Sequence, residues 1–199
     1  LKTGERGEIP ETLKAQEIPS SRLYHTLVAT NFSAAKAALA MAENHGYHSL
    51  IITSQLSGLT KNVDNFLNSV IQTEIQYSHP VKKPLCLLFG GETTVKVESD
   101  GLGGRNQDLV LRMVEKISGI TGLILISLST DGEDGPTDAA GAVADGLVFQ
   151  EGAGSYDLDV HEFIQRNDAY HYFDHLGGLI KIGATGTNVN DLVILLMKL

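Results

Sequence analysis

Four short segments hold the side chains that could do chemistry. In Gly90-Gly91-Glu92-Thr93-Thr94 a carboxylate follows a double glycine at the end of an apolar run. Ligands of α/β proteins sit at the carboxyl ends of strands, where Glu92 would project. In Asp100-Gly101-Leu102-Gly103-Gly104-Arg105-Asn106-Gln107 a glycine loop leads into an expected helix. Free N–H groups and the positive dipole end at such a start suit an anion. Arg105 adds a planar fork of donors for carboxylate or phosphate. Gly103, Gly104 and Asn106 are therefore candidate cofactor-binding positions.

The third segment, Thr130-Asp131-Gly132-Glu133-Asp134-Gly135-Pro136-Thr137-Asp138, packs four acids into nine residues. Close carboxylates repel unless solvated or bridged, and their oxygens suit Mg²⁺. Asp131 directly follows the longest apolar run and is the first choice for a catalytic or metal-binding acid. The fourth, Gly183-Ala184-Thr185-Gly186-Thr187-Asn188-Val189-Asn190-Asp191, offers hydroxyls and amides to phosphates or sugar hydroxyls. Thr187 is its candidate cofactor contact, and Asn188 could orient a catalytic carboxylate. Each segment also has an ordinary reading as turn chemistry, Asp134-Gly135-Pro136 above all.

These loops need a frame. Leu1–Leu23 lacks periodicity and suggests an extended strap, followed by a short strand over His25–Thr30. Asn31 or Ser33 can cap a helix over Ala34–Asn44 that Gly46 stops. His48–Thr53 reads as a strand and Lys61–Gln76 as an amphipathic helix. Tyr77–Pro84, polar and with two prolines, is the best boundary in the chain. Beyond it the pattern predicts strands over Leu85–Phe89 and Thr93–Glu98 with a turn at Gly90–Gly91. A helix over Arg105–Ile117, a strand over Gly122–Ser129 and a short Ala-rich helix over Thr137–Ala144 follow. Helices near Asp159–Gln165 and Asp168–Leu176, then strands over Gly178–Gly183 and Leu192–Met197, complete a three-layer α/β/α arrangement.

Composition narrows the function. The 199 residues carry a formal net charge of −9. The acid is concentrated late: residues 1–97 hold 9 basic and 8 acidic side chains, residues 98–199 hold 6 and 16. Nucleic acid, which demands a basic face, is an unsuitable partner. No apolar run approaches the ~20 residues of a membrane span, and no apolar signal core opens the chain. The single cysteine, Cys86, lies in an apolar run, as expected of a reduced cytoplasmic protein. The first residue is Leu1 rather than methionine, which suggests a fragment. His161-Glu162 lacks the second histidine of a zinc helix; His171 and His175, one turn apart, could share a metal or simply flank a helix surface. Neither a G-x-S-x-G elbow nor a P-loop occurs.

Taken together, Gly90–Val95, Gly103–Gln107, Thr130–Gly132, Asp134–Thr137, Ala140–Ala142, Asn167-Asp168 and Thr185–Asp191 resemble, in order, the C-terminal domain of glycerate 2-kinases. That domain is called MOFRL, in a family long labelled hydroxypyruvate reductase. Gly7–Thr12 and the Asn31 unit resemble the end of its first, Rossmann-like lobe. The resemblance implies that residues 1–78 are a remnant of that lobe and residues 79–199 a mixed-sheet MOFRL domain. It implies transfer of the ATP γ-phosphoryl group, with Mg²⁺, to the 2-hydroxyl of D-glycerate, with Glu92, Arg105, Asp131 and Asn188 as the functional positions. The base and metal-ligand roles stay open between Glu92 and Asp131, as do the carbon phosphorylated and a homodimer. The family chain is much longer and carries a functional lysine in its first lobe, so this piece alone is expected to be inactive. Where the family has a Gly-Glu-Ala stretch, this chain has Ser57-Gly58-Leu59-Thr60. Hydroxypyruvate reduction and a non-catalytic module binding a small acid or nucleotide are the alternatives.

Overall fold

A computed structural model describes Tyr24 and residues 26–198. The predicted strap and the Gly7–Thr12 match lie outside the described residues. Residues 26–30 form no strand. The elements are α1 (Asn31–Asn44), β1 (His48–Leu59), α2 (Thr60–Tyr77), β2 (Leu85–Thr94), α3 (Arg105–Val114), β3 (Leu123–Ser129), β4 (Gly141–Asp145), α4 (Val148–Ser155), α5 (Val160–Gln165), α6 (Ala169–Leu176), β5 (Leu179–Ile180) and β6 (Asp191–Met197). They build one six-stranded mixed sheet in the order β1-β2-β6-β3-β4-β5. β1 and β2 run parallel across the Tyr77–Pro84 connection, and the remaining pairs are antiparallel.

The sheet is covered from both sides. Along β2, Leu85, Leu87 and Phe89 enter the main core, and Phe89 meets Phe66 of α2 edge to face at 6.0 Å. The alternate position Gly90 faces Asn31 of α1 instead. So α1 lies on one face, and α2 on the other together with α3, whose Leu109, Val110, Met113 and Val114 fill the same core. Such alternation follows from the period of two along a strand. None of the described helices is long and apolar enough to cross a membrane.

Several expectations need correction. The cap of α1 is Thr30, whose hydroxyl accepts from the Ser33 N–H while the Ser33 hydroxyl accepts from the Thr30 N–H. Ser33 completes this capping box rather than starting the helix, and Asn31 is freed for another task. Gly90–Gly91 is no turn, because β2 runs straight through it to Thr94. A Cβ at Gly90 would lie 1.7 Å from Asn31 Oδ1, and one at Gly91 2.2 Å from the Leu56 carbonyl. The pair thus serves close approach of neighbouring elements, and β2 ends where Thr93–Glu98 was expected to begin a strand of its own.

The Ala-rich helix over Thr137–Ala144 is also absent. Gly141–Asp145 is the strand β4, with Ala142 and Ala144 fully buried between β3 and α3. Small side chains are needed where a helix crosses closely over the sheet, and that packing overrides the helical preference of alanine. The segment after β4 contributes α4, which no periodicity marked.

Candidate active site

The register explains why distant segments meet. Gly91 pairs with Asp191, and Asp191 on its other side with Ser129. The carboxyl ends of β2 and β3 and the amino end of β6 therefore lie side by side at one edge. Glu92 is one residue past the first contact and Asp131 two past the third. Arg105, the first residue of α3, arrives from the glycine loop.

Arg105 is fixed by a residue the sequence reading passed over. Its Nε donates to Asp191 Oδ2 at 2.6 Å and its Nη2 to Asp191 Oδ1 at 2.7 Å. Asp191 is 4% exposed, so this two-pronged pair is partly desolvated and charge-assisted. Glu92 Oε1 lies 3.4 Å from Nη2. Hydrogen bonding to Asp191 raises the Arg105 pKa further, so the guanidinium is permanently charged. Among the described residues no protein acceptor takes Nη1. Nothing local marked Asp191 for this role: it opens β6, and only antiparallel pairing brings that amino end to the carboxyl edge of β2 and β3.

Asp131 is held from two sides. Its Oδ1 accepts from the Ser129 hydroxyl at 2.7 Å and the Glu133 N–H at 3.1 Å. Its Oδ2 accepts from Asn188 Nδ2 at 2.9 Å. The Ser129 bond, the Glu133 N–H and the nearby Arg105 charge hold its carboxyl below the usual range. A carboxylate offers about four acceptor positions, so Oδ2 keeps one for a ligand. Asn188 thus braces the Asp131 carboxylate. Its loop is stitched to β3 by Thr130, whose hydroxyl donates to the Asn190 carbonyl at 2.7 Å and accepts from the Val189 N–H at 2.9 Å. Thr187 stands exposed on that loop, its N–H 3.3 Å from the Thr185 hydroxyl.

The anion at the start of α3 turns out to be internal. Asp134 is completely buried and accepts from the Asn106 N–H and Asn106 Nδ2, both at 3.1 Å, and from the Gln107 N–H at 2.9 Å. Burial pushes its carboxyl up against the pull of those donors. Asn106, whose Oδ1 also accepts from Ser127 at 2.5 Å, is locked inside the protein and faces no ligand. Gly104 is buried where a Cβ would meet Asp134, whereas Gly103 is partly open. The Asn167-Asp168 pair braces the same loop: Asn167 Oδ1 accepts from the Glu98 N–H and Asp168 Oδ1 from the Leu102 N–H. His171 pairs with Asp168 and His175 with the His171 carbonyl, so each serves its helix. Among the described residues no group of three or more His, Cys, Asp or Glu is placed to hold a metal ion.

The site is thus a guanidinium anchored between carboxylates at the strand ends of a mixed α/β sheet. The chain belongs to the MOFRL family, whose model matches residues 85–191. It is 37% identical to a glycerate 2-kinase of Pyrococcus horikoshii over 98% of this chain and 43% of that one. To a D-glycerate 2-kinase of Thermotoga maritima it is 41% identical, over 79% of this chain and 37% of the relative. The crystal structure of a glycerate kinase from Thermotoga maritima superposes with a TM-score of 0.83 at 38% identity, covering 86% of this chain and 41% of that chain. The chain thus spans less than half the length of the relatives it matches.

Proposed function

We propose that this chain is the C-terminal part of a glycerate 2-kinase, transferring the ATP γ-phosphoryl group to the 2-hydroxyl of D-glycerate to give 2-phosphoglycerate. The observation that carries this is Arg105, clamped by Asp191 and flanked by Glu92, on the sheet edge that also delivers Asp131. The names of the relatives at 37% and 41% identity support it. Residues 85–191 carry the family match; β1 and α2 join them in one sheet and one core, so the lobe boundary expected at residues 78–79 is proposed instead to lie before β1.

Phosphoryl transfer asks mainly for positioning and charge neutralisation. Arg105 Nη1 takes the glycerate carboxylate or the transferring phosphoryl group. The single open position on Asp131 Oδ2 either aligns the attacking hydroxyl and receives its proton or holds the metal ion, the other task then falling to Glu92. Glu92 limits the swing of the guanidinium from the other side. Oxygen donors and a single well-oriented carboxylate fit a magnesium ion that keeps water and phosphate in its other positions, with Asp131 as the protein ligand and Glu92 as the second candidate. Such an ion would neutralise charge on the phosphates. Gly103 and Thr187 remain open to the nucleotide. No observation favours hydroxypyruvate reduction.

Incubating the complete protein with ATP, Mg²⁺ and D-glycerate should yield 2-phosphoglycerate, resolved from the 3-isomer by NMR. The 199-residue piece alone should yield none. Oxidation of NADH by hydroxypyruvate, without ATP-dependent phosphorylation, would overturn the proposal.

A further inference from the structure

Asn31 lies in α1, more than 150 residues from the loop it touches. Its Nδ2 donates to the Val189 carbonyl and the Asp191 carbonyl, both at 2.9 Å. Those carbonyls bracket Asn190, a non-glycine residue in the left-handed region at φ +67°. The side chain before this bend, Asn188, holds Asp131; the one after it, Asp191, holds Arg105. Asn31 Oδ1 is buried without a hydrogen-bond partner and faces Gly90 at a distance that no Cβ could share. The amide is thus seated on the bare backbone of β2, with both of its N–H bonds spent on the bend.

We propose that Asn31 is a positioning residue for the kinase site: its amide sets the 188–191 bend and thereby aims Arg105 and Asp131 together. The inference rests on the kinase reading and adds to it a coupling between α1 and both charged groups. It also gives the double glycine a purpose, since Gly90 is the space in which the amide sits. Thr130 holds the Asn190 carbonyl from the β3 side, and Asn31 supplies the grip from the α1 side. A carbonyl pair released on one side lets the bend rotate, and a small rotation there moves two side chains that must act in register.

In the complete protein, Asn31→Ala is expected to lower kcat/KM for glycerate by about 10–100-fold, the usual range for a residue that orients a ligand-contacting one. Asn31→Asp, the same shape with acceptors turned on two carbonyls, should do no better. Gly90→Ala, which evicts the amide, should reproduce the loss, yet add nothing in the Asn31→Ala background. Asn31→Ala and Asp191→Asn should likewise combine without multiplying. A readout independent of turnover is the Arg105 Nε–H resonance, identified through Arg105→Lys. It should exchange slowly in the parent protein and rapidly in Asn31→Ala, or in Gly90→Ala should the first variant not fold. If the parent forms no phosphoglycerate but this resonance still responds, the kinase reading falls and the positioning role stands. Activity within twofold of the parent with an unaltered resonance, or losses that multiply in the Asn31–Gly90 pair, would overturn it.

Discussion

Asp191 grips Arg105 side-on, through Nε and Nη2, and leaves Nη1 without a protein acceptor among the described residues. A lysine cannot copy this, because its point charge would fall on Asp191 and leave nothing presented. In the complete protein Arg105→Lys should therefore lose as much phosphoglycerate formation as Arg105→Ala, about 10³-fold or more by analogy with other transferring-phosphate arginines. Steady-state kinetics decides; a lysine variant within tenfold of the parent would remove the fork from the mechanism.

Asp131 combines three donors with a pKa held below the ordinary range by the Ser129 bond above all. Asp131→Asn should keep the fold and reduce kcat by about 10²–10³-fold, with Asn188→Ala costing about tenfold because it only aims the acid. The sign of the shift also sets the pH profile. A depressed folded pKa means that Asp131's contribution is complete at neutral pH and is lost only as pH falls through that lowered value. An acid limb between pH 5 and 8 in the kcat profile of the parent that vanishes in Asp131→Asn would contradict this.

Asp134 closes the start of α3 from inside. Asp134→Ala would strand three buried donors and should lower unfolding stability by about 3 kcal/mol or more. Asp134→Asn keeps one acceptor oxygen and should lose less. Urea denaturation followed by circular dichroism would separate the two.

Glu74, on α2, is fully buried; its Oε1 accepts from the Val81 N–H at 3.3 Å and its Oε2 has no partner. Burial raises its pKa, opposed by the Val81 bond, His79 and Lys83. A carboxyl with a raised folded pKa makes the protein less stable as pH rises from the unfolded value through the folded one. Glu74→Gln should accordingly raise the melting temperature, and by more at pH 8 than at pH 4.5. An equal gain at both values would show that ionisation is not the cost.

The elements legible in the sequence were those with strong local patterning. The run Leu192–Met197 had to be a strand, and the amphipathic face of Val63, Leu67 and Ile71 had to be a helix. What escaped depended on partners far along the chain. Ala142 and Ala144 became strand because α3 crosses above them, and Gly90–Gly91 stayed extended because Asn31 and Leu56 press against it. Glu92, Arg105, Asp131 and Asn188 were singled out from residue type near expected strand and helix ends, and the structure brings them to one sheet edge. Asp191 was not, because its importance comes from cross-strand pairing that only the register reveals. Asn106 was misjudged for the same reason: nothing local says that Asp134, 28 residues on, fills the helix start.

The strand order carries a consequence for how the molecule is made. β2 and β3 never touch; β6, built from the latest of the strand segments, stands between them. Until Asp191–Met197 slots in, a nascent or nicked chain would hold two half-sheets, each with a raw hydrophobic edge open to neighbouring molecules. Premature termination before residue 191 should therefore yield an aggregating product, not a smaller soluble one.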